Sequence, residues 1–227
     1  MINPGGQAYF ASPGFLIGAA QYLLVKATSQ EVFVMTISHS RIQRYTVTAC
    51  FGALAFVLML FEFPVIPVVS YLKFDFSDLP AMLGTVMYGP VAGLVITLIK
   101  LLLHGATRGF SPVELLGLFA SLCSSLSLLL PVAWFFRKGS KLSLKRALTW
   151  SGISGTVILT VVMTVFNLYV LTPMYMKLFG WQPTLPIPKL MAFGVLPFNL
   201  IKGAGLSLVF AFVITRMRHY LHLGEEA

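Results

Sequence analysis

The sequence predicts an all-α integral membrane protein: a six-transmembrane-helix bundle with short helices 2 and 3 and a capping outer loop after helix 1. Three observations predict it. Of 227 residues, 57% are hydrophobic and only 10% are charged, and the mean hydropathy is +0.87, far from the balance of a water-soluble domain. The apolar residues gather in long runs parted by short polar or Pro-containing stretches. Basic residues cluster between those runs in an order that six crossings collect on one side.

Residues 1–40 receive no role. Phe15 to Val25 is apolar but too short to span and lacks the basic start of a signal peptide. A start near Met35, disorder and an interfacial stretch are the alternatives left open. Residues 41–227 form the predicted membrane domain. Its first span runs from about Tyr45 to Phe61 and carries Ala49-Cys50-Phe51-Gly52-Ala53, a small-x-x-x-small stripe that lets another helix approach closely. A loop from Pro64 to Ser77 follows. Leu79 to Tyr88 and Val91 to Leu103 are both short, and Gly89-Pro90 between them breaks a helix, so they are read as two helices. The remaining spans are Pro112 to Phe136, Leu144 to Leu171 and Leu190 to Met217. The last two are long enough to cross with tilt or to project beyond the bilayer. No repeat of fixed period appears.

Six crossings put Arg41, Arg44, Arg137, Lys138, Lys141, Lys145, Arg146, Arg216 and Arg218 on one side, and leave Lys73, Arg108, Lys177 and Lys189 on the other. The richer side is the cytoplasmic one, which predicts a multi-pass plasma-membrane protein with both termini inside. The net charge of +9 therefore reports membrane orientation rather than nucleic-acid binding. No phosphate-binding Gly-x-x-x-x-Gly-Lys-Ser/Thr loop, His-Glu-x-x-His pair or Gly-x-Ser-x-Gly elbow is present, so ATP hydrolysis, if used, belongs to another chain. Cys50 and Cys123 lie within apolar runs and read as packing residues, with no metal site.

The most informative stretch is Pro197-Phe198-Asn199-Leu200-Ile201-Lys202. It sets an amide and an ammonium one helical turn apart where hydrocarbon is expected. An ionisable residue at membrane depth marks a functional site, and this one suits a polar ligand that is uncharged or weakly acidic. In the fifth span Asn167, flanked by Tyr169 and Tyr175, lies at a comparable depth. Two amides and an ammonium meeting in one pocket suit a heterocycle whose edge alternates carbonyl and N–H groups. Tyr71, Leu72, Lys73, Phe74 and Asp75 form the part of the outer loop assigned to that pocket, with Lys73, Phe74 and Asp75 as a lid, since aromatics at an outer mouth can stack on a planar ligand. Asp78 is expected to cap the helix beginning near Leu79, and Lys100 to snorkel to the interface. Glu62 and Glu114 are read as hydrated or capping residues at span ends, and His104 as a loop residue.

From about Arg41 onward the chain resembles the riboflavin-specific S components of energy-coupling factor (ECF) vitamin transporters, the RibU-like family. The most specific pieces are Lys73-Phe74-Asp75-Phe76-Ser77-Asp78-Leu79-Pro80, Tyr88-Gly89-Pro90-Val91-Ala92-Gly93 and Pro197 to Gly203. The sequence departs from the family pattern at Leu101, where Asn is frequent, which weakens a ligand role for Lys100. The resemblance implies a riboflavin-binding subunit without catalytic activity or cofactor, in which riboflavin is the substrate carried. Asn167, Asn199 and Lys202 match the positions that hold the isoalloxazine ring. Ala49, Gly52 and Ala53 match the motif that docks on a transmembrane T subunit, and two ATPase subunits complete the transporter. The S component is expected to topple in the membrane to release its vitamin. The rival readings are an S component for thiamine, a pterin or a pyrimidine, a stand-alone secondary carrier, and, more remotely, a lipid-modifying enzyme.

Overall fold

Apolar runs decide where the helices lie, and Gly and Pro decide where they stop. The computed structural model describes residues 41–217 except 70, 138–141, 181 and 184. Residues 1–40 and the predicted cytoplasmic residues Lys138, Lys141 and Arg218 lie outside the described residues. The chain divides into two units, Met1–Thr46 and Val47–Ala227. The packing described below is that of the second.

Helix α1 (Arg41–Leu60) is followed by a small antiparallel hairpin, β1 (Phe63–Pro64) with β2 (Lys73–Phe74), in which Phe63 faces Phe74. The hairpin was not legible in the Pro-punctuated loop. Helix α2 (Asp78–Tyr88) has 11 residues, about 16 Å of rise, roughly half the hydrocarbon thickness of a bilayer. Gly89, at φ 91°, ends it in a backbone conformation that L side chains rarely adopt, and Pro90 opens α3 (Pro90–Arg108) at a position where a missing N–H costs nothing. The two-helix reading of this region is the one observed. Helix α3 runs past the apolar stretch that ends at Leu103, because His104 and Gly105 are buried and extend its packed face.

Helix α4 (Pro112–Phe135) leads to the fifth rod, built from α5 (Leu144–Phe166), a π-helical segment π1 (Asn167–Leu171) and α6 (Thr172–Phe179). The sixth rod repeats the pattern: α7 (Ile187–Leu190), π2 (Met191–Val195) and α8 (Leu196–Met217). Both π segments end just before a proline, Pro173 and Pro197. A proline ring clashes with the carbonyl four residues back and supplies no N–H, and widening the preceding turn relieves both problems. Thr172 and Leu196 accordingly donate five residues back, to the Asn167 and Met191 carbonyls. Helices α1, α3 and α4 and the two composite rods are each long and apolar enough to cross a membrane. Val157, Val161 and Val165 on α5, and Leu208 and Phe212 on α8, turn outward at helical spacing as lipid-facing side chains do.

Close helix contacts are made at glycines. A Cβ on Gly203 of α8 would lie 2.9 Å from the Thr156 Cα of α5, and Gly152 of α5 faces Ser207 of α8, so these two helices run antiparallel. Gly93 of α3 nests on α2, where a Cβ would stand 1.9 Å from Thr85 Oγ1 and 2.9 Å from the Ala81 carbonyl oxygen. Gly93→Ala should therefore lower stability by about 2 kcal/mol, seen as a drop in the thermal midpoint of the purified protein. The antiparallel packing gathers Arg137, Lys145, Arg146 and Arg216 at one end of the bundle.

Candidate functional site

A cavity of about 340 Å³ opens between the loop after α1 and helices α3, α4, α5, α6 and α8, at the end of the bundle away from those basic residues. Of the eight residues predicted to bind substrate, six line it: Tyr71, Leu72, Lys73, Asp75, Asn199 and Lys202. Two do not. The Phe74 ring is buried in the core, 5.1 Å from Phe76 centroid to centroid and against Gly205 of α8. Asn167 is wholly buried at the start of π1, with Nδ2 donating to the Met163 carbonyl at 2.7 Å and Oδ1 without a partner among the described residues. Met163 and Leu171 line the cavity in its stead.

At its deep end the cavity meets a buried ionic quartet. Lys202 Nζ lies 3.4 Å from Asp75 Oδ2 and 3.9 Å from Asp78 Oδ2. Asp78 Oδ1 in turn accepts from Lys100 Nζ and from Ser125 Oγ, each at 2.5 Å, and Lys100 also donates to Ser77 Oγ at 2.8 Å. This corrects two expectations. Lys100 does not snorkel: it is completely buried, because its ammonium has a carboxylate to meet inside the bundle. Asp78 does not cap α2 from solvent: it is 2% exposed and spends its carboxylate on Lys100 and Ser125. Such charges are tolerated in a dry interior only when paired and hydrogen-bonded.

Three further pairings form part of the cavity wall. Glu62 accepts from Lys73 and, at 3.5 Å, from Arg108. His104 Nε2 lies 3.0 Å from Glu114 Oε1, so His104 belongs to the wall of the cavity rather than to a loop, and Glu114 does more than end a span. His104 Nδ1 and Ser124 Oγ are buried polar atoms of cavity-lining residues with no partner among the described residues. Buried polar groups are rarely left so, and a bound molecule is one source of the missing partners. All four carboxylates among the described residues, Glu62, Asp75, Asp78 and Glu114, stand at this one site.

The loop is held to the bundle by charge. Ser77 N donates to Asp75 Oδ1 at 2.8 Å while Asp75 Oδ2 faces Lys202. Burial pushes the Asp75 carboxyl up, but the Lys202 and Lys100 charges and the Ser77 hydrogen bonds outweigh it and hold the group down, from 3.8 to about 2. The folded chain thus keeps this carboxylate ionised further into acid than the unfolded chain does. Its stabilisation is complete above about pH 4 and is lost as pH falls toward about 2. Thermal midpoints measured across that window should fall for the native chain and flatten for Asp75→Asn. Burial also pushes the Tyr71 phenol up, to about 12, against a hydrogen bond with Thr172, which keeps it a neutral lining group at physiological pH.

Residues 43–214 match the family model for the substrate-specific component of ECF transporters. The chain belongs to that family. It is 32% identical to the riboflavin transporter FmnP of Bacillus subtilis (strain 168), over 82% of this chain and 98% of that one. It is 34% identical to the riboflavin transporter RibU of Staphylococcus aureus (strain TCH60), over 79% of this chain and 92% of the relative. A solved S component of a bacterial ECF transporter superposes with a TM-score of 0.66 at 33% identity, covering 80% of this chain and 98% of the other. The family is one of transport components rather than enzymes, and five helices long and apolar enough to cross a membrane stand among the described residues of this chain.

The predicted docking motif divides in space. Ala49 and Ala53 are exposed on α1, whereas Gly52 is buried against Ile99 of α3, where a Cβ would meet Ile99 Cγ2 at 2.6 Å. Gly52 serves the internal packing of the bundle.

Proposed function

We propose that this chain captures riboflavin from outside the cell and delivers it, as cargo rather than as cofactor, for uptake driven by ATP hydrolysis on partner subunits. The observation that carries the reading is one cavity lined by an amide, an ammonium and a neutral phenol, Asn199, Lys202 and Tyr71, in a chain whose relatives are named riboflavin transporters. The cavity volume of about 340 Å³ falls in the range of small-molecule sites. Its charges are already matched: the cations Lys73, Arg108 and Lys202 each face a carboxylate. A neutral heterocycle with a polyhydroxyl tail adds no charge to that balance, and it offers hydrogen-bonding groups to His104 Nδ1 and Ser124 Oγ.

With the basic end of the bundle cytoplasmic, the cavity faces outward and both termini lie inside. The exposed Ala49 and Ala53 on α1 offer the T subunit a smooth surface for close helix approach. A thermal-shift panel tests the ligand. Riboflavin should raise the unfolding midpoint in a concentration-dependent way, while thiamine, a pterin and a free pyrimidine leave it unchanged. Stabilisation by one of the others and none by riboflavin would reassign the cargo.

A further inference from the structure

We infer that Asp78 and Lys100, which do not line the cavity, determine the charge of the ligand it accepts. The inference rests on the riboflavin reading and extends it from the ligand's shape to its charge.

Asp78 and Lys100 stand directly behind Lys202, and neither is among the residues that line the cavity. Both are almost wholly buried, so water screens their charges poorly and their fields reach the ligand space. The quartet of Asp75, Asp78, Lys100 and Lys202 sums to zero. The formal charges of Glu62, Glu114, Lys73 and Arg108 on the cavity wall also sum to zero. A phosphorylated flavin therefore finds no surplus cation, and would have to draw Lys73, Arg108 or Lys202 away from a carboxylate already in contact.

Removing one member of the Asp78 and Lys100 pair changes that sum without removing a cavity-lining group. Asp78→Asn leaves the site one positive charge in surplus, and it keeps a side-chain oxygen to accept from Lys100 and Ser125. Lys100 also keeps Ser77 Oγ as a partner at 2.8 Å. Lys100→Met leaves one negative charge in surplus, held by Lys202 and Ser125. A unit charge about 10 Å from an anionic group, in surroundings of effective dielectric about 20, alters affinity roughly tenfold.

The experiment measures dissociation constants for riboflavin and for riboflavin 5′-phosphate on the native chain, Asp78→Asn, Lys100→Met and the double variant. The quantity read is the ratio of the two constants within each protein, which partial unfolding does not move. Relative to the native chain, the preference for riboflavin over its phosphate should fall roughly tenfold in Asp78→Asn and rise roughly tenfold in Lys100→Met. In the double variant, where the sum is again zero, it should return to the native value. Ratios unchanged in whichever single variants fold would overturn the inference while leaving the riboflavin reading intact. A native chain that binds neither flavin would instead remove the riboflavin reading itself.

Discussion

Replacing Lys202 with Met should abolish high-affinity flavin binding. Lys202 lines the cavity one turn after Asn199, and its ammonium also ties the loop to the bundle through Asp75. The substitution removes a charge-assisted donor, a loss of about 1.5–3 kcal/mol. It also frees the Asp75 carboxylate that closes the cavity wall, so the affinity should fall by at least about 100-fold. Arg should not rescue it, since a planar fork cannot take the place of a compact ammonium between two carboxylates. Titration with riboflavin, read by quenching of flavin fluorescence, measures the loss. Native affinity in Lys202→Met would remove this residue from the site.

The largest stability effect should follow Asp78→Ala. Asp78 Oδ1 holds Lys100 and Ser125, and Oδ2 faces Lys202, so one carboxylate links α2 to α3, α4 and α8. Taking it away leaves a fully buried ammonium without its closest partner, a loss of about 3–5 kcal/mol. For a chain of this size that corresponds to a fall in the thermal midpoint of roughly 10 °C. Ser125→Ala removes only a hydroxyl bond to the same oxygen and should cost about 1 kcal/mol. Equal effects from the two substitutions would show that the ion pair adds nothing to the fold.

Much of this was legible in the residues. Apolar runs located the spans, Gly89-Pro90 marked the break between α2 and α3, and the pairing of an amide with a lysine in the last helix pointed to the cavity. What escaped was pairing at a distance. Lys100, Asp78, Glu62, Glu114 and His104 each have an ordinary local explanation, as a snorkelling chain, a cap, a hydrated span end or a loop residue. Their partners lie 22 positions away for Lys100 and Asp78, and 46 for Arg108 and Glu62, beyond the reach of periodicity. One signal was present: an apolar chain retains four carboxylates between Arg41 and Met217, and acids kept in such company need cations to meet. The π segments also had a sequence cause in Pro173 and Pro197, although a proline alone does not say whether a helix kinks, ends or widens. Phe74 was assigned to the ligand as an aromatic of the loop, but the missing side chain at Gly205 opens a place for its ring in the core.

Asn199, Lys202, Tyr71 and the loop around Asp75 should enclose a single flavin site. Equilibrium titration of the purified native chain with riboflavin tests it most directly. Flavin fluorescence should be quenched along a saturating curve that ends at one flavin per chain. A linear curve without saturation, or quenching that free thiamine competes away as well as riboflavin does, would contradict it.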